Sequence, residues 1–146
     1  MHLIIGGKHM GKLSYARTLY GEGLSASVCD LSVEEPESMF LSFLPTSPTL
    51  PTLPAARMVA VVTNLQDGAR TILKRGERPV DFFEVNLSRI EDKILIGDEI
   101  GSGIVPADPF ERFWRDETGF LYQFLAARAE LVDRVWAGIP CRIKGK

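Results

Sequence analysis

A short apolar run, Leu3-Ile4-Ile5, stops at the glycine-rich stretch Gly6-Gly7-Lys8-His9-Met10-Gly11-Lys12-Leu13, and a helical pattern follows at once. This hand-over constrains the chain more than any other feature. A buried strand that turns sharply into a helix is the opening half of an α/β unit. From Lys12 to about Tyr20 the apolar residues Leu13, Ala16 and Tyr20 share one helix face, with Gly21 or Gly23 as the stop signal. The loop between them has the spacing G-x-x-x-x-G-K. Its glycines let successive backbone N–H groups turn inward on an anion, and the following helix adds the partial positive charge of its N-terminus. Residues Gly6, Gly7, Lys8, His9, Met10, Gly11, Lys12 and Leu13 are therefore expected to cradle phosphate, with Lys12 supplying a full charge near the β- and γ-phosphates. The expectation depends on inward-facing amides and on an ammonium group that no other partner has claimed.

Further strands and helices alternate along the chain. Ser27–Leu31 reads as a second strand ending at Asp30, and Met58–Val62 as a strand covered on both faces. A helix is expected from about Leu65 to Lys74 and another buried strand at Ile94-Leu95-Ile96, whereas residues 79–92 fit neither period. Asp108-Pro109-Phe110-Glu111 has the chemistry of a helix start: an acidic cap, proline in the first turn and glutamate three residues on. The stripe Phe110, Phe113, Trp114, Leu121, Phe124 and Leu125 along that helix reads as core. Leu131–Ile139 is expected to be one last strand. The pattern predicts an α/β fold with a mostly parallel central sheet.

At 146 residues the chain has the length of one domain, and 45% apolar with 25% charged residues excludes wholesale disorder. Prolines 45, 48, 51 and 54 recur every third residue, the polyproline II period, which suits a stiff surface connector or a ligand for an aromatic groove. A net charge of −2 argues against a dedicated nucleic-acid or anionic-membrane binder. With no membrane-length apolar run, no targeting segment and only Cys29 and Cys141, a cytoplasmic protein without metal-thiolate or disulfide framework is expected.

The metal-binding half of the phosphate-loop pattern is altered. Where a Ser or Thr hydroxyl would ligate Mg²⁺ stands Leu13, and Ser14 is turned about 100° away on the helix. The Met58–Val62 strand ends in Thr63-Asn64 rather than in an acid. Asp98 and Glu99, after a different strand, remain the candidates to hold Mg²⁺, directly or through water. Nucleotide binding, of ATP or GTP, is thus better supported than phosphoryl transfer, which depends on metal neutralising the developing charge.

Three further segments resemble one family. Gly97-Asp98-Glu99-Ile100-Gly101-Ser102-Gly103-Ile104-Val105-Pro106 is similar to the N-E-V-G-x-G-I-V-P run of the adenosylcobinamide kinase/adenosylcobinamide-phosphate guanylyltransferase family, with Asp98 in place of Asn. Arg115-Asp116, Gly119, Leu121 and Gln123 resemble its R-D-x-x-G-x-L-N-Q helix, with Tyr122 replacing Asn. Ala137-Gly138-Ile139-Pro140 through Lys144 is similar to its A-G-x-P-x-x-x-K ending. The resemblance implies the three-layer, P-loop NTPase-like form of that α/β fold, a nucleotide at residues 6–13, a cobinamide-like corrinoid as second substrate and a homotrimer. It also implies kinase-type transfer, with Lys12 and Glu99 as catalytic residues, and guanylyl transfer through a histidine. The family's loop reads G-G-x-R-S-G-K-S; here His9, Met10 and Leu13 replace its Arg, first Ser and last Ser. The family's acid at the Met58–Val62 strand end corresponds to Thr63. Beyond His9 and His2 the chain has no histidine to carry a guanylyl group. His9 sits in the phosphate loop and His2 precedes the first strand, so the guanylyl-transfer chemistry is expected to be degenerate.

Overall fold

The computed structural model describes residues 1–21, 28–41 and 61–146; the proline track and residues 58–60 of the expected third strand lie outside them. Six strands form one sheet in the order β2-β3-β4-β1-β5-β6: β1 (His2–Gly6), β2 (Val28–Asp30), β3 (Val61–Thr63), β4 (Ile94–Asp98), β5 (Leu131–Trp136) and β6 (Ile139–Lys144). The first five are parallel and β6 joins β5 antiparallel. The helices are α1 (Lys12–Tyr20), α2 (Ser38–Leu41), α3 (Leu65–Lys74), α4 (Pro79–Val85) and α5 (Pro109–Arg128). The ambiguous stretch 79–92 resolves into α4 and a 3₁₀ turn at Leu87–Arg89, two pieces too short to display a period.

The layers follow from side chains alternating along each strand. Leu3, Val62, Leu95 and Val132 pack with Leu65, Ala69 and Ile72 of α3, Phe83 of α4 and Leu121 and Leu125 of α5. Their neighbours Ile4, Val61, Ile94, Ile96 and Val135 pack with Ala16 of α1 on the other face. Both faces are covered, as a parallel sheet requires. This is the three-layer P-loop NTPase-like fold. The start of α5 is as its sequence dictates: the Asp108 carboxylate accepts a 2.9 Å hydrogen bond from the Glu111 amide.

Two expectations need correction. The single strand expected at Leu131–Ile139 is a hairpin, turning at Ala137 (φ 50°) and Gly138 (φ 80°). Successive left-handed residues make the turn that matches strand twist, but Ala in the first position gives none of the usual Asn or Asp signal. The aromatic stripe of α5 is also only partly core. Leu121 and Leu125 are buried, whereas Phe113 is 50% exposed and Trp114 lines a cavity described below.

At the amino-terminal end of β1 lies a buried polar cluster. Asp133, fully enclosed, accepts from Tyr15 Oη at 2.7 Å, pairs with His2 Nε2 at 2.8 Å and is held by the Arg142 guanidinium. His2 Nδ1 meets Tyr20 Oη at 2.7 Å. The cluster ties β1, α1, β5 and β6 together. Burial lowers the His2 pKa below its ordinary 6.5; Arg142 and the terminal ammonium add to this, and Asp133 opposes it. Above pH 6.5 the imidazole is neutral whether folded or not. Below it the unfolded chain takes up a proton that the folded chain resists, so stability falls as pH drops from 6.5 toward the folded value. Urea midpoints measured between pH 7 and 5 are therefore expected to decline more steeply for the wild type than for His2→Gln. Equal slopes would refute this.

Candidate nucleotide-binding site

The carboxyl ends of β1, β2, β3 and β4 open onto one cavity of about 760 Å³, the place where parallel α/β sheets bind their ligands. Its walls include the loop from Lys8 to Leu13, Asp30 at the end of β2, Thr63 and Asn64 at the end of β3, Asp98 at the end of β4, and Trp114 from α5.

The loop is closed on itself and braced. His9 (φ 59°) and Gly11 (φ 87°) take left-handed backbone, which histidine tolerates better than most side chains and glycine adopts freely. The Met10 carbonyl accepts from the Gly138 amide at 3.0 Å, so the β5–β6 turn props the loop from behind. The amides of Lys8, His9, Gly11, Lys12, Leu13 and Ser14 have no acceptor among the described residues. Those of the first helical turn lack one by construction, which leaves donors for an anion.

Lys12 is only 7% exposed and lines the cavity, but its ammonium is not free. It donates to the carbonyls of Gly7 (2.7 Å) and Gly6 (3.2 Å) and pairs with Asp98 Oδ1 at 2.6 Å. The expectation of an unclaimed ammonium group is therefore corrected. Strand register is the cause: β1 and β4 are neighbours with Gly6 opposite Asp98, which sets that carboxylate beside the loop's origin.

Of the two acids expected to hold metal, the sheet brings only Asp98 to the cavity. Glu99 bonds instead with Arg134, at 2.9 and 3.2 Å, and is not in the cavity wall. Leu13 lines the cavity with hydrocarbon, as its sequence position implies. His9 is exposed at the cavity mouth. His2, with both ring nitrogens engaged, lies about 13 Å from the loop's origin, four residues along β1 at ~3.3 Å each.

Several residues in the site were not singled out from the sequence. Asn64 (φ 58°) donates to Asp30 Oδ1 at 2.7 Å, and Ser32 donates twice to the same oxygen. Burial alone would raise the Asp30 pKa, but these donors outweigh it and hold the carboxyl below its ordinary value. Asp67 moves the other way: burial raises its pKa, and the nearby Asp98 raises it further. Gln66 links the walls, accepting from the Asp98 amide at 2.9 Å, donating to Asp67 at 3.0 Å and offering its own carbonyl to Trp114 Nε1 at 2.7 Å. The available signal was position. Asp30, Thr63 and Asp98 each end a parallel strand, where site residues concentrate.

The family model described as cobinamide kinase / cobinamide phosphate guanyltransferase matches residues 58–143. The chain belongs to this family. The matched residues take in Asp98, Glu99 and Trp114 but begin after the glycine loop. A segment is similar to the bifunctional adenosylcobalamin biosynthesis protein CobP of Pseudomonas aeruginosa, 42% identical over 53 residues. That is 36% of this chain and 31% of the relative, so the match spans about a third of the relative's length. Among the described residues no helix is long and apolar enough to cross a membrane.

Proposed function

We propose that this family member binds a purine nucleoside triphosphate, ATP or GTP, with its phosphates at residues 6–13. The observation that supports this most is a closed loop that lines the cavity at the strand ends beside Lys12 and whose backbone amides have no acceptor among the described residues. The oxygen donors there suit Mg²⁺, which binds through one or two carboxylates and completes its shell with phosphate and water. No group of three His, Cys, Asp or Glu side chains able to hold a metal exists among the described residues. Asp98 is the residue that would hold the ion, in place of the hydroxyl missing at Leu13; Glu99, taken by Arg134, is the weaker candidate.

The test is titration calorimetry with ATP and GTP. Lys12→Ala is expected to weaken binding by roughly 10–100-fold, the worth of one charge-assisted phosphate contact. Failure of the wild type to bind either nucleotide would sink the proposal.

A second reading, transfer of the γ-phosphoryl to a cobinamide-like alcohol, is supported by the Asp98 carboxylate in the cavity wall at the end of β4, where it could hold the Mg²⁺ such a transfer needs. Turnover of radiolabelled nucleotide with adenosylcobinamide decides it. Guanylyl transfer through histidine is disfavoured, because His2 is buried against Asp133 and His9 belongs to the loop. An acid-labile guanylyl adduct that disappears in His9→Ala would overturn that. The homotrimer suggested by family resemblance is supported by exposed Trp136, Ile139 and Ile143 on the C-terminal hairpin, and sedimentation velocity tests it.

A further inference from the structure

The Lys12–Asp98 pair has a consequence for which ligands the site accepts. Each ammonium hydrogen of Lys12 is already directed at an oxygen: two loop carbonyls and the Asp98 carboxylate. The pair is largely shielded from water, with Lys12 and Asp98 side chains 7% and 15% exposed, so it is screened far less than a surface ion pair. A phosphate oxygen reaching Lys12 must therefore displace Asp98 or share the lysine with it, one anion against another. The surroundings add to the repulsion. Lys8 and Lys12 face three carboxylates in the cavity wall, those of Asp30, Asp67 and Asp98. Asp67 already feels Asp98 as a like charge.

We infer that Asp98 is a specificity-determining residue that competes with phosphate for Lys12 and makes the site discriminate against free polyphosphate in favour of the cation-complexed form. This rests on the nucleotide-binding reading proposed above. The physical reason is charge balance. A bare triphosphate brings several negative charges to a wall that is already net negative, whereas a divalent cation gives the Asp98 carboxylate another partner and releases the ammonium. The neutral amide found at this position in the family's N-E-V-G run would neither pair with Lys12 as an ion nor repel phosphate.

Asp98→Asn tests this with one atom changed. Its side-chain oxygen remains available for the Gln66 amide, which approaches Asp98 Oδ2 at 3.5 Å. Binding of ATP, GTP and inorganic tripolyphosphate is measured by calorimetry in EDTA and in Mg²⁺, alongside Lys12→Ala. In EDTA, Asp98→Asn is expected to bind about tenfold or more tightly than the wild type, because a like-charge contact is removed. Its ratio of affinities with and without Mg²⁺ is expected to shrink by a similar factor. A residue that only maintained the fold would weaken binding in both buffers alike. Unchanged or weaker binding of Asp98→Asn in EDTA overturns the inference, and the nucleotide reading survives if Lys12→Ala still loses affinity. If Asp98→Asn does not fold, the wild type alone decides: its affinity for tripolyphosphate must rise about tenfold or more on replacing EDTA by Mg²⁺, and a ratio near one overturns the inference. No binding by any protein in either buffer removes the site itself and the inference with it.

Discussion

Asp133→Ala is expected to lower the free energy of unfolding by about 3–5 kcal/mol, the usual result of removing one member of a buried charged cluster. The carboxylate has no solvent exposure, and its loss strands His2 Nε2, the Tyr15 hydroxyl and the Arg142 guanidinium. Arg142, about a third exposed, can turn to water, and Tyr15 is only half-buried; His2 is buried, and its desolvation dominates the cost. For a domain of this size the change corresponds to a drop in Tm of roughly 10–20 °C. Asp133→Asn keeps an acceptor and is expected to cost less. The cluster also has an acid limit. Burial alone would raise the Asp133 pKa, but the Arg142 and Tyr15 donors outweigh it and hold the carboxyl below the ordinary 3.8. Its contribution is therefore present above pH 3.8 and is lost as pH falls through the depressed value. Urea unfolding at pH 7 checks the main claim, and a loss under about 1 kcal/mol would show that the three donors find other partners.

Gly97→Ala is the second large effect expected. A Cβ built at Gly97 would lie 2.2 Å from the Tyr122 hydroxyl and 2.7 Å from Cζ. That hydroxyl donates to the Asp98 carbonyl at 2.9 Å, so a ring pushed aside by the new methyl group gives up that bond. Overpacking together with loss of that hydrogen bond is expected to cost about 2–4 kcal/mol. Tyr122 stands where the resembling family pattern has Asn, which makes the pair testable as a unit. In a Tyr122→Asn background Gly97→Ala should cost less than about 1 kcal/mol, a coupling visible in a double-mutant cycle. Additive losses would mean that the strand, not the tyrosine, rejects the methyl group.

The parts of the fold that could be read from the sequence are those coded locally. Lys12–Tyr20 and Leu65–Lys74 show their apolar spacing and stop signals within a few residues, and the Asp108 cap works through the amide three positions on. The loop's place between β1 and α1 was likewise visible. What could not be read depends on contacts across the sheet. Asp98 meets Lys12 because β4 lies against β1, an adjacency that no spacing along the chain encodes. Trp114 shares the apolar stripe of its aromatic neighbours, which reads as core, and only the packing of α5 beside α3 shows that it closes the cavity wall. The Ala137-Gly138 turn escaped because its first residue is a poor advertisement for left-handed backbone.

The prop that this turn gives to Met10 links two ends of the chain that are made at different times. Residue 10 is translated early, yet its carbonyl waits for the amide of residue 138. A nascent chain halted before the hairpin emerges from the ribosome cannot hold its opening loop in the finished shape. Ligand capture by stalled fragments of graded length would then switch on only once the last two strands are out.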